Sequence, residues 1–164
     1  MGSDHWPTMK KILTLAVSHA VVLALGVGLG IYLLPILAAP PAPSIADVQA
    51  ASSGARYTTE FRRNLKGSDA LHWGEGQLAI GPDRVALMGR IAPGPAYRLY
   101  LVPEFVETEA DFKRVKAQSL AVADIRTFEN FIVPLPPGTP LERYTSVVIW
   151  CESFSQFITA GRYR

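Results

Sequence analysis

Two hydrophobic patterns divide the chain. From Ile12 to Leu34 the residues run for 23 positions without an Asp, Glu, Lys or Arg and are largely apolar. From Arg56 onward, apolar residues come in short stretches on a two-residue period, punctuated by glycine and proline. The first run, wound as a helix, spans about 35 Å and covers a hydrocarbon core of roughly 30 Å. Pro35 is expected to end it. The later stretches predict strands. Arg56 to Leu65 alternates Tyr57, Thr59 and Phe61 against Thr58, Glu60 and Arg62, and Leu71 to Ile80 forms a second stretch whose Gly74 and Gly76 suggest a bulge or a close backbone approach. Gly81-Pro82-Asp83 turns the chain into Arg84 to Ile91, its hairpin partner. After Pro93-Gly94-Pro95 comes Ala96 to Val102, then a charged segment from Glu104 to Lys116 that reads as a loop with a short helical turn. Ala117 to Ala123 and Ile125 to Pro134 return to strand character, and Pro137-Gly138 suits the central pair of a type II turn.

The strongest strand signal follows that turn, from Tyr144 to Phe154. Val147, Ile149 and Cys151 share one face of it and Ser146, Val148 and Trp150 the other, and neither face is plainly polar before Glu152. A strand covered on both faces lies mid-sandwich or beneath another element, so Cys151 is expected inside or just at the end of the sheet. Phe154 to Tyr163 supplies the last strand. With about seven to nine short strands, Gly/Pro turns and no long amphipathic helix in this region, the pattern predicts an all-β antiparallel sandwich or barrel-like domain over 54–164.

Ahead of it, residues 1–11 read as a cytoplasmic tail and 12–34 as a transmembrane anchor. Residues 35–53, rich in proline and alanine, read as an extended tether. The apolar run exceeds the roughly 7 to 15 residues of a signal peptide and lacks a clear small-x-small cleavage site, which favours an uncleaved anchor over a cleaved signal. Lys10 and Lys11 precede the run and no basic cluster follows it, so the positive-inside rule leaves the N-terminus in the cytoplasm of an inner-membrane, single-pass protein. The C-terminal domain then faces the periplasm or exterior. Gly26 and Gly30 make a small-xxx-small pair in line with His19, a candidate face for an envelope partner's helix. Glycine is common in membrane helices, however, and His19 falls near the interface, which accounts for the same stripe without a partner.

From Ser44 onward the chain has 14 Lys+Arg against 13 Asp+Glu, and this near-balance argues against nucleic acid as a partner. One cysteine excludes an internal disulfide. The domain holds a single histidine, His72, and a single methionine, Met88. A blue-copper site needs two histidines, so it cannot be built here, and no ligand pair has a telling zinc spacing; no metal site is assigned. Covalent c-type haem needs Cys-x-x-Cys-His, which is absent. A non-covalent haem between Met88 and His72 is conceivable, but a lone histidine beside Trp73 is more often a hydrogen-bonded structural residue, and no cofactor is assigned. No nucleophile elbow, phosphate loop or paired-carboxylate motif supports a hydrolase or nucleotide enzyme.

Several stretches together resemble the DM13 family. These are His72 followed by Gly74 and Gly76, Gly94-Pro95 leading into Tyr97-Arg-Leu-Tyr-Leu101, Pro134, Tyr144, the Val-x-Ile-Trp-Cys core, and the closing Phe157 and Ala160. The chain departs from the family pattern at Glu129-Asn130-Phe131, where the family has a glycine and a tyrosine, so no role for that tyrosine carries over. The resemblance implies an electron-transfer or redox module of the kind found in some proteins beside DOMON and cytochrome b561-like domains. It implies Cys151 as the redox group, with His72, Trp150 and Tyr144 as neighbours. Considered without the family, a free cysteine in an apolar strand is usually a small buried hydrophobe, and the adjacent Glu152 works against a thiolate. Two readings follow: a membrane-tethered redox module, or a non-catalytic binding or assembly domain of the envelope.

Overall fold

The structure is a computed structural model that describes residues 5–164, with side chains from residue 8 onward. The first four residues of the expected tail lie outside the described residues. Helix α1 spans His5–Leu37, and its portion Thr8–Leu37, at a mean hydropathy of 2.4, is long and apolar enough to cross a membrane. Pro35 does not end it. Although its missing N–H removes one rung of the ladder, the helix runs on to Leu37, and the Ala38 N–H still reaches the Leu34 carbonyl at 2.9 Å.

The expected tether is also shorter than its composition suggests. Helix α2 occupies Ile45–Ser52, started by a capping box in which the Ser44 hydroxyl accepts from the Asp47 N–H and the Asp47 carboxylate accepts from the Ser44 N–H, both at 3.2 Å. Val48, fully buried, packs this helix against the domain, and the Asn130 side-chain amide donates to the Pro43 carbonyl at 3.3 Å. The segment from Pro43 to Ser52 therefore belongs to the folded unit. Alanine and glutamine favour helix once a cap is present, and a single apolar residue is enough to dock so short an element.

Eight strands follow: β1 Tyr57–Phe61, β2 Gly74–Ile80, β3 Arg84–Ile91, β4 Tyr97–Val102, β5 Leu120–Ile125, β6 Phe131–Pro134, β7 Ser146–Cys151 and β8 Gln156–Arg162. All pair antiparallel, in two four-stranded sheets of order β1-β2-β3-β6 and β5-β4-β7-β8. The Thr59 hydroxyl donates to the Arg162 carbonyl at 2.6 Å and ties β1 to β8, so the sandwich is nearly closed along that edge. Between the sheets lies a core that includes Phe61, Leu78, Leu87, Leu99, Val147 and Ile149. The glycines foreseen in β2 mark a close approach. Gly76 takes φ +124°, and a Cβ on its partner Gly89 would sit 2.8 Å from the Gly76 Cα.

Strand β7 is buried at every residue. Its second face is covered by helix α3, Glu109–Val115, and the chain around it. The polar surface of that segment hides Phe112 and Val115, which pack on Val148, Trp150 and Phe157 in a second apolar cluster. Cores on both sides explain why β7 carries no polar face.

Candidate functional site

Cys151 ends β7. Facing it across the sheet is Tyr97 on β4, and on the other side is Gln156, brought opposite by a register shift between Ile149 and Trp150. The cysteine is 2% exposed and donates its thiol hydrogen to the Pro95 carbonyl at 3.1 Å. Pro95 sits in the Pro93-Gly94-Pro95 segment, where Gly94 leaves room for the Tyr97 ring: a Cβ there would lie 2.7 Å from the tyrosine Cζ.

Cys151 is buried yet not sealed. It forms part of the wall of a cavity of about 420 Å³ shared with His72, Tyr97, Leu71, Phe154 and Gln156, and closed on one side by Gly28, Ile31 and Tyr32 of α1. His72 is fixed by a turn in which the Asp69 carboxylate accepts from the Leu71 and His72 N–H groups at 2.7 and 2.8 Å and pairs with the imidazole Nδ1 at 2.8 Å. The bond from His72 holds the Asp69 carboxyl below its ordinary range.

Burial pushes the Cys151 thiol up, and Glu152 adds to the rise, while the backbone N–H groups of Phe154 and Ser153 oppose it. The thiol is therefore protonated at neutral pH. The influence of Glu152 is blunted because its carboxylate faces the other side of the sheet. There it accepts from the Tyr100 hydroxyl and from Lys116 Nζ, the latter at 2.7 Å. Burial works against the Glu152 charge, but these two donors win and hold its carboxyl below the ordinary value. Tyr100 is correspondingly pushed up to about 12, by burial first and by Glu152 second.

The geometry brings together His72 and Cys151 of the expected site residues, and places the other two elsewhere. Trp150, although adjacent in sequence, points to the opposite face, its ring 4.8 Å from that of Phe112 and its indole N–H buried without a hydrogen-bond partner among the described residues. Tyr144 precedes the other end of β7 and packs at the edge of the inter-sheet core. Met88, opposite Gln77 in the β2–β3 ladder, does not line the cavity with His72. His19 pairs its Nδ1 with the Leu15 carbonyl of its own helix at 2.7 Å. The residue missed by sequence reasoning is Tyr97. Its two-residue period in Ala96 to Val102 signals an inward face, but only the β4–β7 register reveals that it lies against the cysteine.

A two-sheet antiparallel sandwich with one thiol on the wall of an apolar cavity defines a single-cysteine β module carried behind a long apolar helix. The family model described as "Electron transfer DM13" matches residues 61–163, from the last residue of β1 to just past β8. The chain belongs to the DM13 family. No curated protein and no solved structure matches it.

Proposed function

We propose that this protein is a membrane-anchored, extracytoplasmic redox module in which Cys151 is the redox group and His72 its neighbour in the cavity. The observation that carries this reading is the position of the thiol: although part of the inter-sheet core, it ends a strand and forms part of the wall of a cavity. A lone cysteine cannot close an internal disulfide, so its exchange is with an outside sulfur. The Cys151 thiol loses its proton and attacks a partner disulfide, a new sulfur–sulfur bond forms, and the partner's second sulfur leaves as a thiol after taking up a proton. The Phe154 and Ser153 N–H groups favour the transient thiolate. Apolar α1 serves as the anchor, with Lys10 and Lys11 on the cytoplasmic side of an inner membrane and residues 54–164, extended by α2, outside. Gly26 and Gly30 have open space beside them, which suits an envelope partner's helix; the outer surface of the domain is the other docking face.

A second reading, a non-catalytic binding module of the envelope, is favoured by the protonated, carbonyl-bonded state of the same thiol. Alkylation of Cys151 in the native full chain, compared with the unfolded chain from pH 6 to 10, separates the two. Redox function requires native labelling that is measurable and climbs with pH, and a Cys151→Ala chain that folds but loses the redox-linked phenotype. Absence of native labelling at every pH, with a normal phenotype for the alanine variant, leaves the binding module. A protease-sensitive tag after Arg164 should be cut from outside in spheroplasts, and protection there would reverse the orientation.

A further inference from the structure

We infer that the Cys151 cavity opens at the bilayer surface and binds an uncharged, ring-bearing carbonyl compound dissolved in the lipid, of the quinone class. This deepens the membrane-anchored reading above and rests on it. From residue 54 onward, the two strongly exposed large apolar side chains among the described residues are Leu71, 60% exposed, and Phe154, 53% exposed, and both line this cavity. An apolar rim on an otherwise polar surface marks a contact with something apolar. Its neighbour is α1. Counting from Lys11, about 20 residues of helix cross roughly 30 Å of hydrocarbon, which puts Gly28, Ile31 and Tyr32 where the acyl chains end and Tyr32 at the level favoured by interfacial aromatics. Because these three residues form the far wall, the mouth lies at that level too.

The lining then narrows the ligand. It contains no Asp, Glu, Lys or Arg, which removes charged headgroups and peptides from contention. Tyr97 lines the cavity, and its hydroxyl has no hydrogen-bond partner among the described residues, which leaves it available as a donor. His72 is held on the cavity wall by the pairing of its Nδ1 with the Asp69 carboxylate, which leaves Nε2 as the ring's remaining hydrogen-bonding atom. A quinone carbonyl accepts from the tyrosine hydroxyl, and the second ring oxygen, as carbonyl or as the hydroxyl of the reduced form, suits the remaining imidazole nitrogen. A volume of about 420 Å³ holds one such ring with its substituents and falls within the roughly 300 to 1,000 Å³ of small-molecule sites. Binding makes and breaks no covalent bond.

The full chain in zwitterionic nanodiscs should be titrated with a fully substituted 1,4-benzoquinone bearing a decyl chain, whose ring offers the thiol no open position. Tryptophan quenching is the readout. The expected result is saturable quenching above simple partitioning, weakened about fivefold by Tyr97→Phe and about tenfold or more by Leu71→Asp with Phe154→Asp. Decanol should compete poorly. Quenching that never saturates, wild-type binding by both the Tyr97→Phe and rim variants, or competition by decanol equal to that of the quinone would overturn the site, the last outcome marking an acyl-chain groove. The two readings fail separately: a cysteine inert to alkylation in a protein that still saturates with quinone removes the redox role alone, and native labelling without saturation removes the ligand alone.

Discussion

Replacing Cys151 by alanine should destabilise the domain by about 1 to 2 kcal/mol at pH 7, and serine should cost less. Alanine loses the burial of a sulfur about the size of a methylene, about 0.8 kcal/mol, together with one hydrogen bond worth about 0.5 to 1.5 kcal/mol. The hole left behind merges with a cavity that already exists, so little is added for a new void. Serine keeps a donor in reach of the Pro95 carbonyl, and its penalty is confined to the apolar part. The difference between wild type and alanine should also depend on pH. Burial raises the thiol's folded value above its unfolded one, so the folded state holds the proton longer; this contribution is complete below the unfolded value of about 8.5 and declines as pH rises through the folded one. Burial raises Tyr97 and Tyr163 in both proteins and cancels in the difference, whereas the smaller part of the Tyr97 rise that comes from Cys151 is lost with the alanine. Urea denaturation of a fragment spanning residues 43–164, with and without Cys151→Ala at pH 7 to 10, reads the effect. A gap that widens with pH, or a serine variant less stable than alanine, would refute the account of the thiol as a buried, carbonyl-bonded proton donor.

Truncation to residue 53 should leave a β domain that folds yet melts below the 43–164 fragment, because Val48 and the cap at Ser44 are worth about 1.5 to 3 and about 1 kcal/mol respectively; equal urea midpoints would show that α2 does not dock. Gly89→Ala should lower stability by more than about 2 kcal/mol, since its Cβ would press on the backbone of β2, and a thermal midpoint unchanged from wild type would contradict that contact. Lys116→Met should remove stability that is present above the ordinary glutamate value and lost as pH falls through the depressed folded one, so the variant and wild type should converge in acid. Parallel melting curves from pH 7 down to 3 would show that the ion pair contributes nothing.

The architecture was readable wherever a face had to be apolar. Val147 and Ile149 against Val148 and Trp150 announced a strand with cover on both sides, and the structure supplies the opposite sheet and α3. Period-2 patterning could not say what supplies that cover, because Phe112 and Val115 are too few to stand out in a charged segment. Capping chemistry, outweighed by the prolines before it, was the one signal for α2. At the site, the family signature singled out Cys151 and His72, which share the cavity. It also suggested Trp150 and Tyr144, which do not, since one points away and the other belongs to the far end of the strand. Tyr97 stands in the family pattern too, but its place against the cysteine follows only from pairing register, a property of two strands that neither encodes by itself.

Of the two inner strands of the second sheet, one is the seventh of eight in the chain, bonded to β4 before it and to β8 after it. A nascent chain that stops before Ser146 therefore lacks one of the two inner strands and one edge of that sheet, and with them the floor on which α3 rests. Assembly of that sheet must wait for β7 and β8. Between the synthesis of Cys151 and the pairing of β8, the thiol is an exposed, ordinary cysteine, open to the first oxidant or neighbouring chain that it meets. Biogenesis thus has a vulnerable interval whose length is set by release and folding, and closure of β8 over β7 is the event that converts a promiscuous sulfhydryl into a guarded one.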